Sequence, residues 1–157
     1  MFNCIFVSNE RDLEAHAPAI RRLLSTIPNP TFFIDIPFVR AYMRVFGDAA
    51  PSTVPHKAIV TLIFDGDDLQ LYCPVAVSGN GVSILAKSLG EGFLGYSYAV
   101  LGQNAKPEIF EVFFSALKKI GIDILTLGPI SEIMFSHLRY FAIQRKLRFN
   151  PISGAPK

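Results

Sequence analysis

The sequence predicts one α+β domain in which a central mixed, mainly antiparallel sheet is flanked by helices. Two apolar stretches, 57–64 and 69–78, flank the turn 65–68 (Asp-Gly-Asp-Asp), whose Asp-Gly pair supplies the positive φ that a tight hairpin requires. A second glycine-bearing turn at 79–81 precedes another strand at 82–87, which extends the hairpin into an antiparallel meander. Helical patterns on both sides of this meander place helices against the sheet.

The N-terminal segment predicts a strand followed by a helix. Residues 3–7 are apolar, and Ser8 or Asn9 can then cap a helix with acidic residues in its first turn. Pro18 lacks a backbone N–H, so we expect it to bend or divide this helix. The apolar residues of the helix recur at helical spacing and define one buried stripe: Leu13, Ala17, Ile20, Leu23, Leu24 and Ile27.

Two prolines predict further local features. At 35–37 (Asp-Ile-Pro) a capping carboxylate and a proline in the first turn favour the start of a helix, which we expect to run to Phe46 and stop at Gly47. Pro74 lies inside the strand 69–78. Because proline cannot donate to a ladder, it predicts an edge strand or a bulge at that position.

The C-terminal part predicts a strand between two helices. Residues 88–104 are rich in Gly and Tyr and lack a firm period, apart from a short strand at 98–101. A helix follows at 107–120, then a strand at 122–127 and a helix at 131–147. The first of these helices carries a core stripe: Ile109, Phe110, Phe113, Phe114 and Leu117.

Length and composition predict one domain with a covered apolar surface. The chain has 157 residues, of which we assign 1–149 to the domain and 150–157 to a linker or tail. Half of the residues are hydrophobic and only 18% are charged, below the roughly 25% of an average domain, so we expect a partner to cover part of the surface. A formal charge of +2 without a basic stripe argues against nucleic acid.

Compartment, redox state and metal content follow from simple patterns. The sequence shows neither a basic leader nor an apolar run of about 20 residues, so no membrane span is expected and a cytoplasmic location follows by default. Cys4 and Cys73 each lie in an apolar run, where a thiol acts as a small hydrophobe, and no disulfide framework is indicated. His16, His56 and His137 lack metal-ligand spacing, so no metal is predicted.

Four segments carry a resemblance to a known family. They are 29–47 (NPTFFIDIPFVRAYMRVFG), 73–77 (CPVAV), 87–98 (KSLGEGFLGYSY) and 123–132 (DILTLGPISE). The first is similar to the first-helix motif of the FemAB-like and CelD-like N-acyltransferases, and the third is similar to their Gly/Tyr loop. The order of elements resembles one GNAT-like half of these enzymes. The family's tryptophans are missing from the first segment, and Ser97 stands where an acidic residue is expected.

The resemblance implies a fold, a reaction and a division of labour. It implies a GNAT-like layered fold and transfer of an acyl group from acyl-CoA or acetyl-CoA to a small-molecule acceptor, in bacterial envelope or exopolysaccharide metabolism. These enzymes usually carry two such halves. The resemblance therefore implies an N-terminal half that shapes the acceptor cleft, while a second GNAT-like half or a homodimer subunit delivers the acyl-CoA.

The segment 87–92 is the candidate cofactor-binding loop. Lys87, Gly90 and Gly92 loosely match the GNAT pyrophosphate loop, in which backbone N–H groups face phosphate at a helix N-terminus. The chemistry requires a helix to start directly after the loop. The residues that follow read as loop and strand instead, so a plain glycine-bearing turn is the competing interpretation.

Other polar residues near this loop are candidates for substrate binding and catalysis. Glu91, Tyr96, Ser97 and Tyr98 can line a substrate cleft, since a tyrosine offers an apolar face and a polar hydroxyl. Alternation along a strand would equally bury one of these tyrosines. Tyr98 and Glu132 are the candidate catalytic groups, although Glu132 also suits the first turn of the last helix.

Two functions of different classes follow. The first is the accessory GNAT-like half of an acyl-CoA-dependent N-acyltransferase. The second is a non-catalytic interaction or dimerisation module, which the low charge content favours.

Overall fold

The computed structural model describes residues 1–46, 57–79, 83–89, 99–127, 134–136 and 138–140. The strands are β1 (Phe2–Val7), β2 (Lys57–Asp65), β3 (Asp68–Gly79), β4 (Ile84–Ser88), β5 (Val100–Leu101) and β6 (Ile124–Thr126). The helices are α1 (Glu10–Leu24), α2 (Ile36–Phe46) and α3 (Ile109–Lys119), and a 3-10 turn at Phe32–Ile34 precedes α2.

The strands form one mixed sheet in the order β1-β2-β3-β4-β6, with β5 also paired to β3. The pairs from β1 to β4 are antiparallel, and β6 runs parallel to β4. The predicted meander is therefore confirmed. Asp65 pairs with Asp68 across a two-residue loop in which Gly66 has a φ of +62°, so the Asp-Gly signal placed the turn correctly.

The first helix begins at the cap that the sequence offers. The Asn9 side chain accepts a hydrogen bond from the Asp12 amide at 2.9 Å, so Asn9, not Ser8, is the cap. Pro18 lies inside a helix that continues to Leu24, so the expectation that it divides the helix is wrong. The buried stripe leaves α1 strongly amphipathic, and packing of that face compensates for the one donor that proline removes.

The second helix also follows its predicted signals. The Asp35 carboxylate accepts a hydrogen bond from the Ile36 amide at 2.8 Å, and the helix ends at Phe46. Gly47 lies outside the described residues. The turn before α2 is fixed from the sheet, because the buried Tyr72 hydroxyl donates to the Ile34 carbonyl at 2.8 Å.

Each face of the sheet carries its own apolar core. Strand alternation sends Leu62 and Tyr72 to the face covered by α1 and α2, and sends Ile63 and Cys73 to the face covered by α3. The predicted α3 stripe is confirmed, with Phe114 only half-buried. Both cysteines are free, and burial raises the pKa of the Cys73 thiol to about 12, so it acts as a core hydrophobe.

The position of Pro74 corrects one expectation. The strand β3 is internal, with β2 on one side and both β4 and β5 on the other, and its bulge lies at Gln70. Pro74 sits between the pair Val75–Ser88 and the pair Tyr72–Val100. It therefore lies between the part of β3 that pairs with β4 and the part that pairs with β5.

The C-terminal elements are shorter than predicted where they are described. The third helix starts at Ile109 after a turn at Pro107 and ends at Lys119, with Gly121 at a φ of +81° just beyond. The strand β6 covers three residues of the expected 122–127. Residues 134–136 and 138–140 are helical, while the remainder of the predicted last helix and the tail 150–157 lie outside the described residues. None of the described helices is long and apolar enough to span a bilayer.

A bidentate ion pair joins the first two helices and gives a pH prediction. The Glu10 carboxylate accepts from Arg44 Nη2 at 2.6 Å and from Arg44 Nε at 3.1 Å. This hydrogen bonding holds the pKa of Glu10 below its ordinary value of 4.5. Since the folded pKa is the lower one, the pair stabilises the fold above about pH 4.5, and that contribution is lost as pH falls through the folded pKa.

We expect Glu10→Gln to flatten the acid limb of the stability curve below pH 4.5. Urea midpoints measured from pH 3 to 7 check this. Arg44→Lys keeps the positive charge but loses the planar guanidinium, so its loss of stability at low pH should lie between those of the parent and Glu10→Gln. An acid limb in Glu10→Gln that superimposes on the parent's would contradict the assignment.

A buried hydroxyl gives a second prediction on stability. Thr61 is fully buried opposite Cys73 in β3, and its Oγ1 has no hydrogen-bond partner in the described part of the chain. Thr61→Val should therefore stabilise the protein by about 1–2 kcal/mol, because it removes a desolvated polar group at nearly constant shape. Thermal unfolding measures the effect. Thr61→Ser keeps the hydroxyl and loses a methyl group, so it should destabilise, and the reverse order would sink the prediction.

Candidate functional site

The structure describes only one of the site residues that the sequence predicts. Lys87 lies half-buried near the end of β4, opposite Thr126 of β6. The other candidates lie outside the described residues: Gly90, Glu91, Gly92, Tyr96, Ser97, Tyr98 and Glu132. The predicted pyrophosphate loop and the catalytic assignments therefore stay predictions.

Lys87 stands where the only parallel pairing in the described sheet ends. The pairs of β4 with β6 run from Leu85–Ile124 to Lys87–Thr126. The other end of this pair is pinned, because the Ile84 amide donates to the Asp123 carboxylate at 2.8 Å and the Asp123 amide donates back to the Ile84 carbonyl at 2.9 Å. These two hydrogen bonds lie about three residues from Lys87 and hold β4 and β6 in register there.

The candidate loop leaves and rejoins the same side of one strand. Ser88 pairs with Val75 of β3, and Val100 pairs with Tyr72 of the same strand. The chain between Ser88 and Val100 therefore departs from β3 at Val75 and returns to it at Tyr72, three residues nearer the start of that strand. The short strand expected at 98–101 is confirmed at Val100–Leu101.

The start of α3 is the described helix N-terminus that follows this loop, and it does not fit a phosphate. Pro107 has no N–H, and the amides of Ile109, Phe110 and Glu111 donate to the carbonyls three residues earlier at 3.0–3.1 Å. Glu108 and Glu111 add negative charge to the same turn. A CoA pyrophosphate needs free amides and positive potential at a helix start, and this turn provides neither.

The other two described helix starts carry carboxylates as well. Glu10 and Asp12 lie in the first turn of α1, where the Asp12 amide is taken by Asn9. Asp35 precedes α2 and accepts from the Ile36 amide. None of the three helix starts in the described residues therefore fits the phosphates of acyl-CoA.

The described surface contains a groove that the sequence did not predict. It lies between the C-terminal half of α1, the start of β3 and the residues after β5, and it encloses about 210 Å³. Its lining residues are Ala19, Arg22, Leu23, Thr26, Asp68, Leu69, Gln70, Gly102, Gln103 and Asn104. Polar side chains make up about half of this lining, and the groove is smaller than the roughly 300–1,000 Å³ of typical ligand pockets.

The floor of the groove is built around a bulge in β3. The register passes from Ile63–Leu71 to Phe64–Leu69, so Gln70 is the extra residue of the bulge. Gln70 is 7% exposed, its Nε2 donates to the Asp68 carboxylate at 2.5 Å, and its Oε1 has no partner among the described residues. A bulge of this kind re-aims a side chain at a functional site at the expense of a regular ladder.

Gly102 is required by this floor. Its amide donates to the Gln70 carbonyl at 2.8 Å, and a Cβ at position 102 would lie 2.7 Å from Gln70 Oε1. The side-chain amide of Gln70 thus occupies the space that any larger residue would need. One signal for this site was present in the sequence, namely a glutamine within the apolar run 69–77.

Several solved structures with a similar fold are described as acetyltransferases. Glucosamine-6-phosphate N-acetyltransferase from Arabidopsis thaliana aligns over 100% of this chain and 98% of its own, at 9% identity and a TM-score of 0.52. A possible acetyltransferase from Clostridium difficile 630 aligns over 100% and 97%, at 9% identity and a TM-score of 0.51. An aminoglycoside N-acetyltransferase in complex with CoA aligns over 100% and 95%, at 8% identity and a TM-score of 0.52.

These likenesses concern the fold. The chain has a GNAT-like α+β fold, and the predicted fold class is confirmed. The alignments extend over whole acetyltransferase domains, so they are not specific to a half-domain, and they do not single out the FemAB-like or CelD-like type. No protein-family model matches the sequence, and no curated protein shows significant similarity to it.

Proposed function

We propose that this chain is the acceptor-side half of an acyl-CoA-dependent N-acyltransferase. The GNAT-like fold supports the reaction class, and the resemblance of segments 29–47 and 87–98 supports the FemAB-like or CelD-like type. The observation that carries the division of labour is the acidic character of all three described helix starts. Acyl-CoA is then held by a second GNAT-like half or a second subunit, and it supplies an activated thioester there.

The part played by this chain is to bind and orient the acceptor. The groove floored by Gln70 offers amide, carboxylate and guanidinium groups beside one another, which fits a polar small molecule. Tyr98 and Glu132 stay the candidates for removing the acceptor's proton, with Glu91, Tyr96 and Ser97 beside the substrate. Lys87, Gly90 and Gly92 stay the candidate contacts to the cofactor's phosphates in the assembly, once the second half has delivered the acyl-CoA. A place in exopolysaccharide or envelope metabolism follows if the chain acts as the family does.

Two measurements test this proposal together. The purified chain, titrated with acetyl-CoA in a calorimeter, should give no saturable heat. The tagged protein, purified from its own cells with any accompanying subunits, should release CoA from acetyl-CoA when a panel of primary amines is supplied, as read with a thiol reagent. Saturable heat from the chain alone that disappears in Lys87→Gln would overturn the half-role, and absence of CoA release from the native assembly would overturn the reaction class.

An apolar surface favours a second candidate, an interaction or dimerisation module. Phe32 is 64% exposed beside α2, and Val45 near the end of α2 is 68% exposed. Phe32, Phe33 and Phe38 form an edge-to-face cluster with ring centroids 5.1–5.9 Å apart. Sedimentation equilibrium distinguishes the two candidates: a dimer that Phe32→Ser dissociates, in a protein without CoA release, supports the module.

A further inference from the structure

The two charged groups of the groove have unused binding capacity. Arg22 lies on the α1 wall and, within the described ranges, has no carboxylate within 4.0 Å, whereas its neighbour Arg21 lies 3.8 Å from Glu14. Asp68 lies on the floor, and in the described part of the chain only one of its carboxylate oxygens accepts a hydrogen bond, from the Gln70 side-chain amide. A cation and an anion therefore face one small hollow without neutralising each other by an ion pair.

The remaining surfaces of the groove are amides and its volume is small. Gln103 and Asn104 are exposed on the rim, and Gln70 lies below them. A groove of about 210 Å³ that is open to solvent has room for a compact molecule of amino-acid size.

We propose that this groove binds a free polar amino acid. Its ammonium group binds the Asp68 carboxylate, its carboxylate binds the Arg22 guanidinium, and its side chain meets the amides of Gln103 and Asn104. Charge-assisted hydrogen bonds of this kind are the strong ones in proteins, and guanidinium–carboxylate geometry is favourable. The inference deepens the proposed function and rests on it only for the role of this molecule as acyl acceptor.

Saturation-transfer NMR with each of the twenty common amino acids tests the binding on the purified chain. We expect saturable binding of at least one polar amino acid. The α-carboxamide of that amino acid and its N-acetyl derivative each lack one charge, so each should bind at least tenfold more weakly. No saturable binding below 10 mM of any amino acid, on the order of the mM scale of weak ligands, would overturn the inference, and so would equal binding of both derivatives.

Matched variants separate the groove from general charge effects. Arg22→Gln and Asp68→Asn should each weaken binding by roughly 10–100-fold, while Arg21→Gln and Asp67→Asn, one residue away and outside the groove, should leave it unchanged. Gly102→Ala should also weaken binding, because its Cβ would lie 2.7 Å from Gln70 Oε1 and the Gln70 side chain would have to move. Circular dichroism shows whether each variant is folded. Equal weakening by Arg21→Gln and Arg22→Gln would contradict the site.

The outcomes for the groove and for the reaction are distinguishable. Amino-acid binding without CoA release from the native assembly removes the acyltransferase proposal and leaves the groove. CoA release that Arg22→Gln and Asp68→Asn leave unchanged removes the groove as acceptor site and leaves the reaction.

Discussion

Replacing Phe113 by alanine should destabilise the protein by about 3–5 kcal/mol. Phe113 is 0% exposed at the centre of α3 and belongs to the core between that helix and the sheet, together with Cys73 and Val75 of β3. The loss of a whole ring from a close-packed site leaves a cavity that the neighbours fill only partly. Because domains are stable by only about 5–15 kcal/mol, this single change removes a large share of the total.

Urea unfolding measures the expected loss as a shift in midpoint at constant slope. Phe32→Ala is the matched control, since it removes the same atoms from a largely exposed site and should cost only about 1 kcal/mol through its edge-to-face contacts. If the two variants unfold at the same urea concentration, α3 does not pack as described.

Tyr72→Phe should cost about 1–3 kcal/mol although it removes a single oxygen. The hydroxyl is fully buried and donates to the Ile34 carbonyl at 2.8 Å, which ties the turn before α2 to the middle of β3. The substitution leaves that carbonyl desolvated without its donor. The same burial raises the pKa of Tyr72 far above its ordinary value, which keeps the hydroxyl protonated as a donor.

Differential scanning calorimetry checks this second loss, with Tyr140→Phe as the control because Tyr140 is exposed. We expect the control to unfold with the parent. A Tyr72→Phe protein as stable as the parent would show that the Ile34 carbonyl finds another donor.

Local signals were sufficient for the elements whose causes are local. The Asp-Gly turn, the Asn9 cap and the period of the α3 stripe each depend on a few consecutive residues, and each predicted its element. Pro18 and Pro74 were misjudged because both outcomes depend on tertiary partners. The first is compensated by packing of the α1 stripe, and the second lies in a strand that has neighbours on both sides.

The groove was missed for the same reason. Arg22, Asp68 and Gly102 are distant in sequence, and only the bulge at Gln70 and the bond from the Gly102 amide bring them together. A single polar residue in an apolar strand is weak information without the register that reveals the bulge. Residues 87–92, by contrast, match the pattern of a phosphate loop, but such a loop also needs a helix that starts directly after it. That requirement concerns the residues that follow, so the pattern alone does not decide it.

The interrupted side of β3 also bears on how this protein can change by insertion. The chain leaves β3 where Ser88 pairs with Val75 and rejoins it where Val100 pairs with Tyr72. These two attachment points fix the ladder on that side of β3. Doubling the number of residues between them adds only about 0.6 kcal/mol of closure entropy. A longer connection between Ser88 and Val100 can therefore leave the pairing of β3 unchanged.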